Sequence, residues 1–186
     1  LYFAAHELGT LSGVMVTGSH NPPDYNGFKM MLAGDTLSGE RIQALLKRIQ
    51  ADDFCQGEGQ YRTHSINEAY LNRITQDITL ARPMNIVVDC GNGVAGAFAP
   101  VLYRRMDCRV RSLFCDVDGT FPNHHPDPSQ PKNLQDLIHA LKTTDAELGL
   151  AFDGDGDRLG VVTKEGNIIY PDRQLMLFAG EIGRAH

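Results

Sequence analysis

The chain has 186 residues, 42% of them hydrophobic and 22% charged, and its 17 Lys plus Arg against 23 Asp plus Glu leave a formal charge of −6. That is enough apolar material for a sizeable core, which excludes a disordered or fibrous chain. The negative balance argues against nucleic acid as a partner, and the lack of any apolar run near the ~20 residues that span a bilayer argues against a membrane protein.

In chain order, Leu1-Tyr2-Phe3-Ala4-Ala5 reads as the interior of a helix, not as a charged leader, and no initiator Met precedes it. A fragment of a longer protein is therefore expected. Residues 13–17 form an apolar run closed by Gly18, which predicts a buried strand, and residues 28–32 predict another beyond the turn-forming segment 21–27. Ile42, Leu45, Leu46 and Ile49 recur at helical spacing, with Ser38 and Glu40 near the start. Residues 52–63 read as a linker and residues 66–80 as a helix that ends before Pro83. The period then changes. Strands are expected at 85–89, 109–115 and 147–152, with helices at 97–106 and 134–142 between them. The loop 116–131 holds four of the nine prolines. Residues 159–163 and 167–170 read as a hairpin around Lys164-Glu165-Gly166, and residues 172–186 as a further helix. This alternation predicts an α/β fold: tandem α/β domains with mixed, largely parallel sheets flanked by helices. The expected division is a partial domain over 1–65, a complete one over 66–167, and the start of a third over 168–186. The four cysteines, Cys55, Cys90, Cys108 and Cys115, include no C-x-x-C pair and predict buried, reduced thiols in a cytoplasmic protein.

Two segments carry the strongest chemical signals. Thr17-Gly18-Ser19-His20-Asn21-Pro22 sets a serine at the tip of a strand, after a glycine that leaves its approach unobstructed. That placement suits a nucleophile or phosphate carrier, and it also suits an ordinary strand–turn–strand with a surface serine. His20 is adjacent, to polarise the Ser19 region or order the loop. Lys29, across the turn-rich segment, is a candidate compact cation for phosphate charge. Asp153-Gly154-Asp155-Gly156-Asp157-Arg158 directly follows the third strand. Its carboxylates repel by roughly 3 kcal/mol per close pair at an effective dielectric near 20. The intervening glycines let all three curl toward one point, where a hard divalent cation relieves the repulsion. An EF-hand needs glycine at the sixth position and glutamate at the twelfth, where Arg158 and Lys164 stand. A divalent-ion site is therefore preferred to a solvated acidic turn.

Three weaker signals compete. Gly91-Asn92-Gly93-Val94-Ala95-Gly96 fits the dinucleotide pattern G-x-G-x-x-G, with Asp116 following at a suitable distance. Asp89, however, puts a negative charge where a pyrophosphate would approach, so tight strand–helix packing is the preferred reading. Asp116-Val117-Asp118-Gly119-Thr120 is similar to the nucleophile motif of haloacid-dehalogenase phosphatases, but the match is short and prolines crowd the residues that follow. His124-His125 reads as a proline-braced loop more than a metal site, since imidazoles suit softer ions.

Taken together, Thr17-Gly18-Ser19-His20-Asn21-Pro22-Pro23-Asp24-Tyr25-Asn26-Gly27-Phe28-Lys29 and Asp153-Gly154-Asp155-Gly156-Asp157-Arg158 resemble the α-D-phosphohexomutases, in their bacterial phosphomannomutase/phosphoglucomutase branch. Val88-Asp89-Cys90-Gly91-Asn92-Gly93 and Asp118-Gly119-Thr120-Phe121-Pro122-Asn123-His124-His125-Pro126-Asp127-Pro128 extend the resemblance over nearly the whole chain. It implies a partial phosphohexomutase architecture and an isomerase acting on hexose phosphates, interconverting the 1- and 6-phosphates of mannose, glucose or both. Ser19 is then the phosphoserine, with hexose 1,6-bisphosphate as intermediate and activator. The resemblance places one Mg²⁺ on Asp153, Asp155, Asp157 and an oxygen at Ser19, and it gives Arg158 to substrate phosphate and His20 and Lys29 to catalysis. The family has four domains, with its sugar-selecting and distal-phosphate loops in the third and fourth, so these residues alone are not expected to complete the cycle. The alternatives are a non-catalytic module that binds a divalent ion or sugar phosphate, and a dinucleotide-binding oxidoreductase half.

Overall fold

Hairpin geometry shapes the first part of the chain. The computed structural model describes every residue except His20, Pro23, Ala185 and His186. Two units divide it: residues 1–17 with 26–70, and residues 18–25 with 71 onward. In the first unit, helix α1 (Tyr2–Glu7) precedes strands β1 (Gly13–Thr17), β2 (Gly27–Leu32) and β3 (Asp35–Thr36). They form an antiparallel sheet in the order β1-β2-β3, with Met15 opposite Lys29 and Thr17 opposite Gly27. The loop from β2 to β3 is only Ala33-Gly34, and both residues have positive φ (50° and 89°), as a tight hairpin of right-twisted strands requires. Helix α2 (Glu40–Gln50) follows, with Glu40 in its first turn and Lys47 and Arg48 in its last, each suited to the helix dipole. Gly39, directly after Ser38, stands at its N-cap.

The expectation of a buried strand at 13–17 needs correction. Val14 and Val16 are 61% and 62% exposed. Their side chains share one face of the sheet, and among the described residues of this unit only Ala5 and Met31 are buried hydrophobics.

Helix α3 (Asn67–Asp77) leads into the second unit, which adds β4 (Asn85–Asp89), α4 (Ala99–Arg105), β5 (Arg109–Leu113), α5 (Gln135–Thr143), β6 (Leu148–Phe152), β7 (Leu159–Thr163), β8 (Ile168–Ile169) and α6 (Pro171–Arg184). The strand order is β5-β4-β6-β7-β8. Pairing is parallel for β5-β4-β6 and antiparallel for β6-β7-β8. Parallel strands need crossover helices, which α4 and α5 supply, whereas β6, β7 and β8 are joined by short loops and must run antiparallel. The fold is mixed α/β, as the alternation of strands and helices predicts.

The unbroken apolar run Ile86-Val87-Val88 follows from burial on both faces. Val87 packs with Leu134, Leu137 and Leu141 in and beside α5. Ile86 and Val88 turn to the other side, with Ala95, Ala99 and Leu150. Helix layers therefore cover both faces of β4. Cys90 and Cys108 are buried as expected and Cys115 is half-buried, but Cys55, in the irregular segment after α2, is exposed; all four thiols are free. No helix among the described residues is long and apolar enough to cross a membrane.

From β4 the chain goes to β5 on one side, then returns to place β6 on the other. The crevice at the carboxyl ends of β4 and β6 is the switch point where open α/β sheets collect ligands. The segment after β4 is tightly packed: a Cβ at Gly96 would lie 2.1 Å from the Cys115 carbonyl oxygen. Gly96→Ala is expected to destabilise this unit by about 3 kcal/mol, lowering Tm by roughly 10 °C. Thermal unfolding followed by circular dichroism checks this, and an unchanged Tm contradicts it.

Candidate functional site

The loop after β6 folds back on itself. Asp153 is fully buried, and its Oδ1 accepts the Arg158 backbone N–H at 3.1 Å. Its carbonyl accepts the Gly156 N–H at 3.1 Å, with Gly156 at φ 74° where a side chain would be strained. This turn gathers Asp153, Asp155 and Asp157 so that one oxygen from each lies within 4.8 Å of the others. Ser19 joins them. Its hydroxyl donates to Asp155 Oδ1 at 3.3 Å and to Asp153 Oδ2 at 3.5 Å. Ser19 also adopts φ 51°, a left-handed conformation of the kind that concentrates at functional sites.

Gly154 makes this approach possible. A Cβ there would lie 2.1 Å from the Ser19 carbonyl oxygen, so backbone meets backbone at a distance no side chain permits. Arg158 Nε stands 3.8 Å from Asp153 Oδ2 with the side chain 47% exposed, which leaves much of the guanidinium facing solvent. Thus Ser19, Asp153, Asp155, Asp157 and Arg158 come together. Lys29 lies on β2 in the first unit, and His20 falls outside the described residues.

Burial, and then the charges of Asp155 and Asp157, push the Asp153 carboxyl up to about 6, against the opposing Arg158 N–H and guanidinium. In the unfolded chain the same group titrates near ~3.9. Without a cation, its contribution to stability is fully present below about pH 4 and is lost as pH rises through its folded value, a change on the order of 2–3 kcal/mol. In EDTA, Asp153→Asn is therefore expected to gain stability relative to the parent between these limits. Urea unfolding of both proteins across that window tests the sign, and a pH-independent difference contradicts it.

The loop after β4 buttresses the acidic loop. A Cβ at Gly93 would sit 2.8 Å from the Gly154 carbonyl oxygen and 3.0 Å from that of Asp153. The Val94 N–H donates to the Gly154 carbonyl at 3.0 Å. The glycines therefore serve close packing, and the amide that would face a pyrophosphate is committed to protein. Asp118 is equally committed: its Oδ1 accepts the Thr120 N–H at 2.9 Å and the Thr120 hydroxyl at 2.7 Å. The Val94 bond favours close packing over the dinucleotide reading.

Sequence reasoning did not pair Asp89 with His124. Asp89 is 1% exposed at the end of β4, and both its carboxylate oxygens lie 3.1 Å from His124 Nε2. Burial opposes a charged ring, but hydrogen bonds with Asp89 and the His125 carbonyl, together with the Asp89 charge, raise the His124 pKa. The available signal was a carboxylate closing an apolar strand, a position too costly to leave unpaired.

Comparisons with known proteins match both parts of the chain. A family model described as phosphoglucomutase/phosphomannomutase, alpha/beta/alpha domain II, matches residues 68–166, and the corresponding domain I model matches residues 1–56. A phosphoglucomutase from Neisseria meningitidis serogroup B is 68% identical over 185 residues, which are 98% of this chain and 40% of that protein. A phosphomannomutase/phosphoglucomutase from Pseudomonas aeruginosa is 59% identical over 98% of this chain and 39% of its own. The crystal structure of a phosphoglucomutase/phosphomannomutase family protein from Burkholderia thailandensis superposes with a TM-score of 0.89 at 60% identity, covering 92% of this chain and 37% of that one. The chain thus spans about 40% of the length of these curated relatives.

Proposed function

The chain belongs to the phosphoglucomutase/phosphomannomutase family, and we propose that its Ser19 is the phosphoryl carrier of a phosphohexomutase. The reaction interconverts the 1- and 6-phosphates of mannose, glucose or both, with a hexose 1,6-bisphosphate as intermediate. The observation that supports this reading is the Ser19 hydroxyl set against Asp155 and Asp153 within a three-carboxylate group. The free thiols suit the cytoplasm as its compartment.

The donor set fits a hard divalent cation, for which we propose Mg²⁺. It offers only oxygen donors, and Asp153 is buried among like charges that a cation would neutralise. Asp153, Asp155 and Asp157, with an oxygen of the Ser19 group, would hold the ion. When bound, it supplies positive charge against the transferring phosphoryl group and the carboxylates.

The remaining work belongs to the chain. Phosphoryl transfer asks a protein mainly for positioning and charge neutralisation. Gly154 and the left-handed Ser19 backbone fix the hydroxyl where it attacks. The Ser19 Oγ–H hydrogen bonds to Asp155 and Asp153 orient the hydroxyl, and its proton passes to the sugar oxygen that departs as the serine oxygen–phosphorus bond forms. The exposed end of Arg158 is available to phosphate oxygens. We keep Lys29 as a further cation for phosphate charge, and His20 as a loop-ordering or polarising residue, on the strength of the sequence motif alone.

In the half-reaction, the bisphosphate gives one phosphoryl group to Ser19 Oγ, and the oxygen it leaves takes a proton to become a hexose monophosphate hydroxyl. Incubating the chain with glucose 1,6-bisphosphate and Mg²⁺ is expected to release hexose monophosphate in proportion to protein, and Ser19→Ala is expected to release none. A non-catalytic binding module releases none from either protein. Equal release by the variant and its parent contradicts Ser19 as the carrier.

A further inference from the structure

Behind the acidic loop lies a polar pair that the proposed transfer does not use. The Asp89 carboxylate accepts the Gly91 N–H at 2.9 Å and faces His124 Nε2 at 3.1 Å, while His124 Nδ1 lies 3.0 Å from the His125 carbonyl. A carbonyl can only accept, so Nδ1 donates to it, while Nε2 and the Asp89 carboxyl share a proton between them. The ring also meets Phe114 edge-on, at 5.3 Å between centroids.

The pair fixes a stack with no slack. A Cβ at Gly91 would lie 2.9 Å from Pro126 Cβ and 3.1 Å from His124 Cε1. Gly91 leads directly into Gly93 and Val94, which press on and hydrogen bond to the Asp153–Gly154 backbone. Gly154 in turn abuts the Ser19 carbonyl. Each layer is close-packed backbone, so a shift at Asp89 has few ways to be absorbed before it reaches the carboxylates.

We propose that Asp89 and His124 are positioning residues that set the acidic loop for its cation, a role that rests on reading that loop as a divalent-ion site. The test is Mn²⁺ binding to the whole chain, followed by the electron paramagnetic resonance of the free ion. Measurements are made at a temperature where circular dichroism shows each protein folded. His124→Ala is expected to bind Mn²⁺ at least about tenfold more weakly, as losses of outer-shell support commonly do. His124→Gln, whose amide restores one donor toward Asp89, is expected to recover most of the affinity. Should His124→Ala fail to fold, Asp89→Asn carries the test, since it keeps an oxygen for the Gly91 N–H while removing the charge, and it too is expected to bind more weakly.

Parent-like affinity in a folded His124→Ala or Asp89→Asn overturns the proposal while leaving the metal site intact. Loss in His124→Gln equal to that in His124→Ala assigns the effect to volume and overturns it as well. A parent chain that binds no Mn²⁺ overturns the metal reading itself, and this role with it.

Discussion

Asparagine in place of Asp155 is expected to abolish metal-dependent phosphoryl transfer to Ser19, by at least about 10²–10³-fold, without unfolding the chain. The substitution keeps the size of the side chain and changes only charge. Asp155 is half-buried and offers the nearer of the two carboxylate oxygens to Ser19, at 3.3 Å. Its charge is also among the influences that raise Asp153. Removing it therefore weakens cation binding and relieves repulsion in the same step. In EDTA the variant should be as stable as the parent or more so. With a divalent ion at about 100 times its dissociation constant, the parent gains about 2.7 kcal/mol that the variant does not. Calorimetry with and without Mg²⁺ reads both effects. Parent-like transfer, or an equal Mg²⁺-induced rise in Tm, contradicts the metal assignment.

The second large effect is expected from a single added methyl group. In Gly154→Ala the new Cβ would lie 2.1 Å from the Ser19 carbonyl oxygen, a backbone atom that no rotamer change can move. The two segments must separate by about an ångström, and displacements of that size at a reacting centre can cost about 10²-fold in rate. The β6–β7 strand pairing lies outside the clash, so the sheet should survive. The expected result is a folded protein whose rate of phosphoryl uptake falls by about that factor. A rate indistinguishable from the parent's contradicts the close approach of these segments.

The core of the site was legible in the sequence because its parts are local. Asp153, Asp155 and Asp157 lie within one turn after a strand, and their mutual repulsion can be argued from spacing alone. Ser19 was visible as a serine after a glycine at a strand end, although its contact with Asp155 spans most of the chain. The Asp89–His124 bridge was not legible, since it joins residues 35 apart that meet only once the sheet has formed. The glycines of 91–96 could be read as packing residues, but what they pack against, the Gly154 and Cys115 carbonyls, appears only in the folded chain. Burial of the first strand was overestimated because an apolar run does not say whether one face or two will be covered, and Val14 and Val16 share the open one. Parallel pairing was confined to three strands because the hairpin turns, more than the apolar content, decide strand direction.

The central claim is that Ser19 and the acidic loop work as one unit, with the serine accepting phosphoryl only when a divalent ion is present. It is tested most directly by peptide-mapped mass spectrometry of the chain after incubation with a high concentration of glucose 1,6-bisphosphate, once with Mg²⁺ and once with EDTA. One phosphoryl group on Ser19 with Mg²⁺, and none with EDTA, is the predicted result. A phosphoryl group on another residue, equal uptake in EDTA, or no uptake under either condition contradicts it.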